Sequence, residues 1–177
     1  MTSTKLTTGA AFPKIKATLL DGSQIELGQA QNEATWQMIV VYRGVHCPLC
    51  TRYLNQLETH IAALAELGVS VMAVSADSKA QLEAHLEKIT VSYPIAYGLT
   101  QEQMQTLGLY ISTPRSAQET DHNFAEPGLF IVNEEGNLQA VDISNAPMLR
   151  PELEVVVNGI KFIRSQPDYP IRGTLKY

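Results

Sequence analysis

Residues 42–50 read YRGVHCPLC and hold the only two cysteines of the 177-residue chain. Two thiols three positions apart support three kinds of chemistry. They can cycle between dithiol and disulfide, contribute to a tetrahedral zinc site, or sit inert in a core. Zinc needs four ligands, and Cys47, Cys50 and His46 supply at most three, crowded together, with no second CxxC and no HxxxH in the chain. No metal and no cofactor is therefore expected. Pro48 suits the first position of a helix, which makes Cys47 its N-cap. A thiolate there accepts backbone N–H bonds and lies at the positive end of the helix dipole, so its pKa falls from about 8.5 towards neutrality or below. Cys50 lies one turn further in, within disulfide reach of Cys47 and more covered. Arg43 and His46 are close enough in sequence to add positive charge. A working redox pair is the expectation, and the spacing alone leaves open which sulfur attacks.

The flanking elements place this pair. QMIVVY (37–42) is a short apolar run rich in β-branched residues, as a buried central strand requires. A helix over roughly 48–67 follows, with Leu54, Leu57, Ile61 and Leu64 at helical spacing and Gly68 ending it. VSVMAVS (69–75) is a second buried strand. Ser78 and Gln81 have capping-box spacing and open a helix to about Ile89. YPIAY (93–97) reads as a short strand, and 100–108 as a short helix capped by Thr100. Residues 128–143 form a hairpin around Glu-Glu-Gly, and Pro151 starts a last helix over roughly 151–165. This alternation predicts an α/β fold, a sheet covered by helices on both faces. The cysteines then sit just past the carboxyl end of a central strand, where open α/β sheets carry their active sites.

Composition narrows the setting. The chain is 45% hydrophobic and 18% charged, with a net charge of −5 and acids and bases interspersed. That argues against a nucleic-acid surface and against anionic membranes. No apolar run is long enough to span a bilayer, and the first residues lack a signal-peptide core, so a cytoplasmic location is expected. Thiols are kept reduced there, which favours catalytic over structural use of a CxxC.

The chain resembles the peroxiredoxins of the AhpC/TSA class, within the thioredoxin-fold superfamily, over about residues 8–165. GAAFPKIKATLLDGSQIELGQ resembles the family's opening strand pair. LAELGVSVMAVSADS resembles the segment ending in GVSxDS, and PIAYGLTQEQMQTLGLY the next strand and helix. GLFIVNEEGNLQAVDISNAPMLRPELE resembles the late hairpin and the arginine after it. The resemblance implies one thioredoxin-like domain over 1–177 with a central mixed sheet, a polar insertion near 112–127 and a tail over 166–177. It also implies a thiol peroxidase acting on hydrogen peroxide or small hydroperoxides, a thioredoxin- or glutathione-type reductant, and a possible homodimer.

Against the family pattern Pro-x-x-x-Thr-x-x-Cys, Arg43 stands at the proline, Cys47 at the threonine and Cys50 at the peroxidatic cysteine. The family's arginine before the late strand is replaced by Glu126, Pro127 and Gly128, while Arg150 matches its second arginine. The resemblance is thus to a branch with CxxC in place of TxxC. Two role assignments follow. In the thioredoxin sense Cys47 is the exposed nucleophile towards a disulfide substrate, Cys50 resolves, and Pro127 stands where thioredoxins hold a cis-proline. In the peroxiredoxin sense Cys50 attacks peroxide and Cys47 condenses with the sulfenic acid. A non-enzymatic redox sensor, oxidised once rather than cycling, is the rival from another class. Arg43, Arg150 and Arg115 are the candidates for polarising a peroxide, Arg115 by way of an insertion folded over the site. His60, His85 and His122 are expected to face solvent, and Trp36 and Tyr42 to be core or edge aromatics. The tail DYPIRGTLKY wraps either its own domain or a partner.

Overall fold

In a computed structural model, which describes residues 5–175, β3 (Trp36–Val41) is buried at all six positions, as a strand covered on both faces must be. It pairs in parallel with β4 (Val69–Val74) and antiparallel with β8 (Gly128–Val132). The other strands of the seven-stranded mixed sheet are β1 (Lys16–Leu19), β2 (Gln24–Glu26), β5 (Ile95–Tyr97) and β9 (Leu138–Ile143), in the order β2-β1-β5-β4-β3-β8-β9. The helices are α1 (Pro48–Glu58), α2 (Ile61–Glu66), α3 (Lys79–Leu86), α4 (Gln101–Thr106) and α5 (Leu153–Arg164). The predicted α/β class and mixed sheet are those observed. The first four and last two residues of the predicted 1–177 domain lie outside the described residues.

Side chains alternate across β3 and divide the core. Trp36, Met38 and Val40 face one layer with Leu54, Leu57, Leu64, Leu82, Leu153, Val157 and Ile160 from α1, α2, α3 and α5. Ile39 and Val41 face the other, built from Phe12, Ile15, Leu27, Met104 and Phe130, to which α4 and the N-terminal segment contribute. Helices do cover both faces, but unevenly. Trp36 and Tyr42 are buried, as expected.

Two helix boundaries differ from expectation. The helix predicted over 48–67 is two, broken at Thr59 and His60, because the Thr59 hydroxyl bonds the Gln56 carbonyl at 2.7 Å and satisfies it outside the helical ladder. The last helix starts at Leu153 rather than Pro151, with Glu152 as its cap. The polar insertion near 112–127 is closed at its base by the pairing of β6 (Ile111–Ser112) with β7 (Phe124–Ala125). The capping box at Ser78/Gln81 is present, and Thr100/Gln103 forms a second. The tail turns back on its own chain. Tyr169 packs edge-on against Phe162 of α5, and the Arg172 carbonyl accepts the Thr8 hydroxyl at 2.8 Å.

Candidate active site

β3 and β4 run parallel and end together, Val41 beside Val74, so the segments that leave them share one edge of the sheet. From β3 comes 42–47 and then α1; from β4 comes Ser75 to Asp77. Asp77 is fully buried and its carboxylate accepts the Val45 N–H at 2.7 Å, which fixes the turn leading into Cys47. Gly44 makes that approach possible. Its φ is +140°, and a Cβ there would run into the Asp77 carboxylate. Burial raises the Asp77 pKa, and the Val45 N–H opposes that rise.

Cys47 caps α1 as expected. Its backbone is extended, and its Sγ accepts the Cys50 N–H at 3.2 Å. The Cα atoms are 5.2 Å apart and the two sulfurs form a disulfide. The expectation of an exposed Cys47 is corrected: Cys47 is 1% exposed and Cys50 0%, so neither sulfur is open to a macromolecule. Cys47 instead belongs to the buried cluster between the sheet and α1.

Arg150 is the arginine that reaches a sulfur. Its Nη2 donates to Cys50 Sγ at 2.7 Å, its Nη1 to the Pro147 carbonyl, and its guanidinium lies over the Tyr53 ring at 5.3 Å. Tyr53, three residues beyond Cys50 on the buried face of α1, donates to the Pro151 carbonyl at 2.9 Å, and burial pushes its pKa up to about 12. Tyr53 was not anticipated. Its place one turn after Cys50 on the apolar stripe was the available signal.

Arg43 points elsewhere. Its Nε lies 3.2 Å from Glu126 and its Nη2 3.6 Å from Glu119, and its guanidinium sits over Phe124 at 4.7 Å. Glu126 is buried and also accepts the Ser112 hydroxyl at 2.7 Å. The charge of Arg43 is therefore spent on carboxylates of the 112–127 segment. Arg115 is 86% exposed at its side chain and pairs with Glu119 at 3.0 Å, so the segment does not carry it into the site. His46 packs tilted against Phe124, ring centroids 4.6 Å apart, and burial, then Arg43, holds its pKa below the usual value. It adds no positive charge beside the thiols. Pro127 is buried, next to β8, and its peptide bond is trans, since the described residues contain no cis bond. It shares a small cavity with Tyr53 and Arg150.

The histidines depart from the expected solvent-facing placement. His85 is fully buried, its Nε2 2.8 Å from the Thr51 hydroxyl oxygen, whose O–H donates to the Cys47 carbonyl at 3.3 Å. Burial lowers the His85 pKa to about 4. His122 is half-buried between Asp121 at 2.7 Å and Asp77 at 3.6 Å, and His60 is half-buried at the break between α1 and α2. Among the described residues no cluster of histidine, cysteine and acidic side chains has the arrangement of a metal site, and no helix is long and apolar enough to cross a membrane.

A disulfide-forming CxxC at a helix N-terminus, with an arginine on the second sulfur, is what a comparison with known proteins can place. The family model of the AhpC/TSA family matches residues 8–141. The chain belongs to the AhpC/TSA family. It is 26% identical over 146 residues to an alkyl hydroperoxide reductase C of Ferdinandcohnia aciditolerans, covering 81% of this chain and 84% of that protein. It is 26% identical over 150 residues to one of Bacillus subtilis, covering 83% and 78%. Among solved structures, a peroxiredoxin-like protein from Aquifex aeolicus superposes with a TM-score of 0.73 at 20% identity over 90% of this chain and 88% of that one. Peroxiredoxin 6 of Arenicola marina gives 0.76 at 18% identity over 92% and 76%. These structures show the shared peroxiredoxin-type thioredoxin fold. As an AhpC/TSA protein with a disulfide-forming CxxC, the chain is a peroxiredoxin-like thiol oxidoreductase, as the resemblance implied.

Proposed function

We propose that this AhpC/TSA protein reduces hydrogen peroxide or a small organic hydroperoxide with Cys50 as the attacking sulfur and Cys47 as the resolving one. The observation that carries this assignment is the 2.7 Å contact from Arg150 Nη2 to Cys50 Sγ, with the guanidinium held by the Pro147 carbonyl and the Tyr53 ring. In the dithiol state the Cys50 thiolate displaces on a peroxide oxygen. The O–O bond breaks, the electron pair leaves on the second oxygen, and that oxygen takes a proton as water or alcohol. A fixed guanidinium stabilises the thiolate and the charge growing on the leaving oxygen. Cys50 is then a sulfenic acid. The Cys47 thiolate attacks its sulfur, hydroxide leaves and is protonated to water, and the Cys47–Cys50 disulfide forms.

Arg43 is part of the scaffold in this scheme, because two carboxylates already hold it. Trans Pro127 walls the pocket near Tyr53 and Arg150 and has no thioredoxin-type role. Disulfide exchange through Cys47 is disfavoured by its 1% exposure. Each turnover ends in a disulfide, so a thiol reductant is required, and a reducing compartment such as the cytoplasm suits the cycle. The test is turnover. With excess thiol reductant the wild-type protein should consume many equivalents of peroxide, and Cys50→Ser none. Consumption that stops at one equivalent despite added reductant would favour a sensor.

A further inference from the structure

Both sulfurs are sealed, so the reductant that reopens the disulfide has to be explained. A cavity of about 490 Å³, within the range of small-ligand sites, lies along α1 and the start of α5. Arg150 lines it and at the same time touches Cys50 Sγ at 2.7 Å, so one side chain links the cavity to a sulfur that is 0% exposed. The walls carry both signs of charge. Arg52 from α1 and Arg150 supply cations, Glu152 and Glu154 at the start of α5 supply anions, and exposed Leu49 and Met148 supply apolar surface.

We infer that this cavity binds a small zwitterionic thiol, an amino-acid or short-peptide thiol bearing carboxylate and ammonium groups, as the reductant of the Cys47–Cys50 disulfide. The inference rests on the dithiol–disulfide cycle proposed above. A carboxylate in the cavity competes for Arg150 with a neutral disulfide sulfur and wins, because a charge-assisted bond to carboxylate is the stronger one. Drawing the guanidinium aside frees Cys50 Sγ of the side chain that reaches it from the cavity. A protein reductant would have to bring its own sulfur to an atom with no exposed surface.

The chemistry balances. The bound thiolate attacks Cys50 Sγ and forms a mixed disulfide, and the S–S electron pair leaves on Cys47. That leaving group is favoured because Cys47 Sγ already accepts the Cys50 N–H at the helix N-terminus. A second thiolate attacks the sulfur of the bound reductant, Cys50 leaves as thiolate, and the reductant departs as its own disulfide. Two thiols are oxidised and the two cysteines are reduced, each taking one proton.

The experiment starts from protein oxidised with one equivalent of diamide, without peroxide, and follows the return of free cysteines by acid quench and mass spectrometry. Glutathione, 2-mercaptoethanol, cysteamine and reduced thioredoxin are the probes, with small-thiol rates expressed per thiolate. Glutathione should saturate and exceed the neutral and cationic thiols at least tenfold. Arg52→Gln and Glu154→Gln, both changes at exposed positions, should each lower the glutathione rate several-fold more than the 2-mercaptoethanol rate. Rates that follow thiolate reactivity alone without saturation, equal losses for both thiols in the variants, or reduction by thioredoxin that far outpaces glutathione would each overturn the inference. Peroxide oxidation of the reduced protein is measured separately, so failure of the peroxidase reaction and failure of this site are told apart.

Discussion

Arg150 and Arg43 look equivalent as residue types, and their surroundings separate them. Arg150 donates to Cys50 Sγ, so Arg150→Met should slow peroxide oxidation of Cys50 by about 10²–10³-fold, as removal of one oriented donor does elsewhere. Arg150→Lys should restore only part of the rate, since an ammonium cannot hold the Pro147 carbonyl and the sulfur with one planar fork. Stopped-flow traces of the reduced proteins check both. Arg43→Met should act on stability instead. It leaves Glu126, buried and ionisable, without its cation, at a cost of about 3–5 kcal/mol in urea unfolding, with a far smaller loss of rate than in Arg150→Met. A larger rate loss in Arg43→Met than in Arg150→Met would reverse the two roles. The CxxC, the N-cap and the match of Arg150 to a family arginine were all legible in the sequence. The commitment of Arg43 was not, because Glu119 and Glu126 are remote in sequence and come to it only through the pairing of β6 with β7.

The elements around the site are tied to it by buried polar groups. Burial holds the His85 pKa near 4, below the ordinary value of 6.5, so the unfolded chain binds the proton more readily. The stability that neutral His85 permits is fully present above about pH 6.5 and is lost as the pH falls towards 4. Unfolding midpoints measured across that window should decline for the wild type, and His85→Phe should flatten the decline; an unchanged slope would contradict it. The turn before α1 is similarly constrained. Gly44→Ala forces a Cβ towards the Asp77 carboxylate at φ +140° and should destabilise the protein by about 1–3 kcal/mol or more, measured by urea unfolding. Helix positions were legible from apolar spacing and capping boxes. His85 was misplaced because Leu82 and Leu86, four apart, read as the core stripe of KAQLEAHL; the helix instead buries Leu82 and His85, with Thr51 as the partner of the histidine, and leaves Leu86 37% exposed. The break after α1 falls where Thr59 and His60 make turn bonds to the Gln56 and Leu57 carbonyls and the Thr59 hydroxyl adds another to Gln56, none of which apolar periodicity registers.

At the scale of the whole molecule, the sheet order explains why the chemistry sits where it does. Parallel β3 and β4 deliver the Cys47 turn and Asp77 to one edge, and the antiparallel hairpin β8–β9 leads to the segment that carries Arg150 onto Cys50. The α/β class was legible because the buried strands are continuous apolar runs and the helices between them are amphipathic. The closure of the site was not, since burial of both sulfurs arises from segments far apart in sequence. In the proposed cycle Cys50 meets the peroxide and Cys47 resolves. Its most direct test mixes reduced Cys47→Ser and Cys50→Ser proteins with one equivalent of hydrogen peroxide, with oxidation located by mass spectrometry and timed by stopped flow. Rapid sulfenic acid at Cys50 in Cys47→Ser, with Cys50→Ser nearly inert, is the predicted result. Equal or faster oxidation of Cys47 in the Cys50→Ser protein would contradict it.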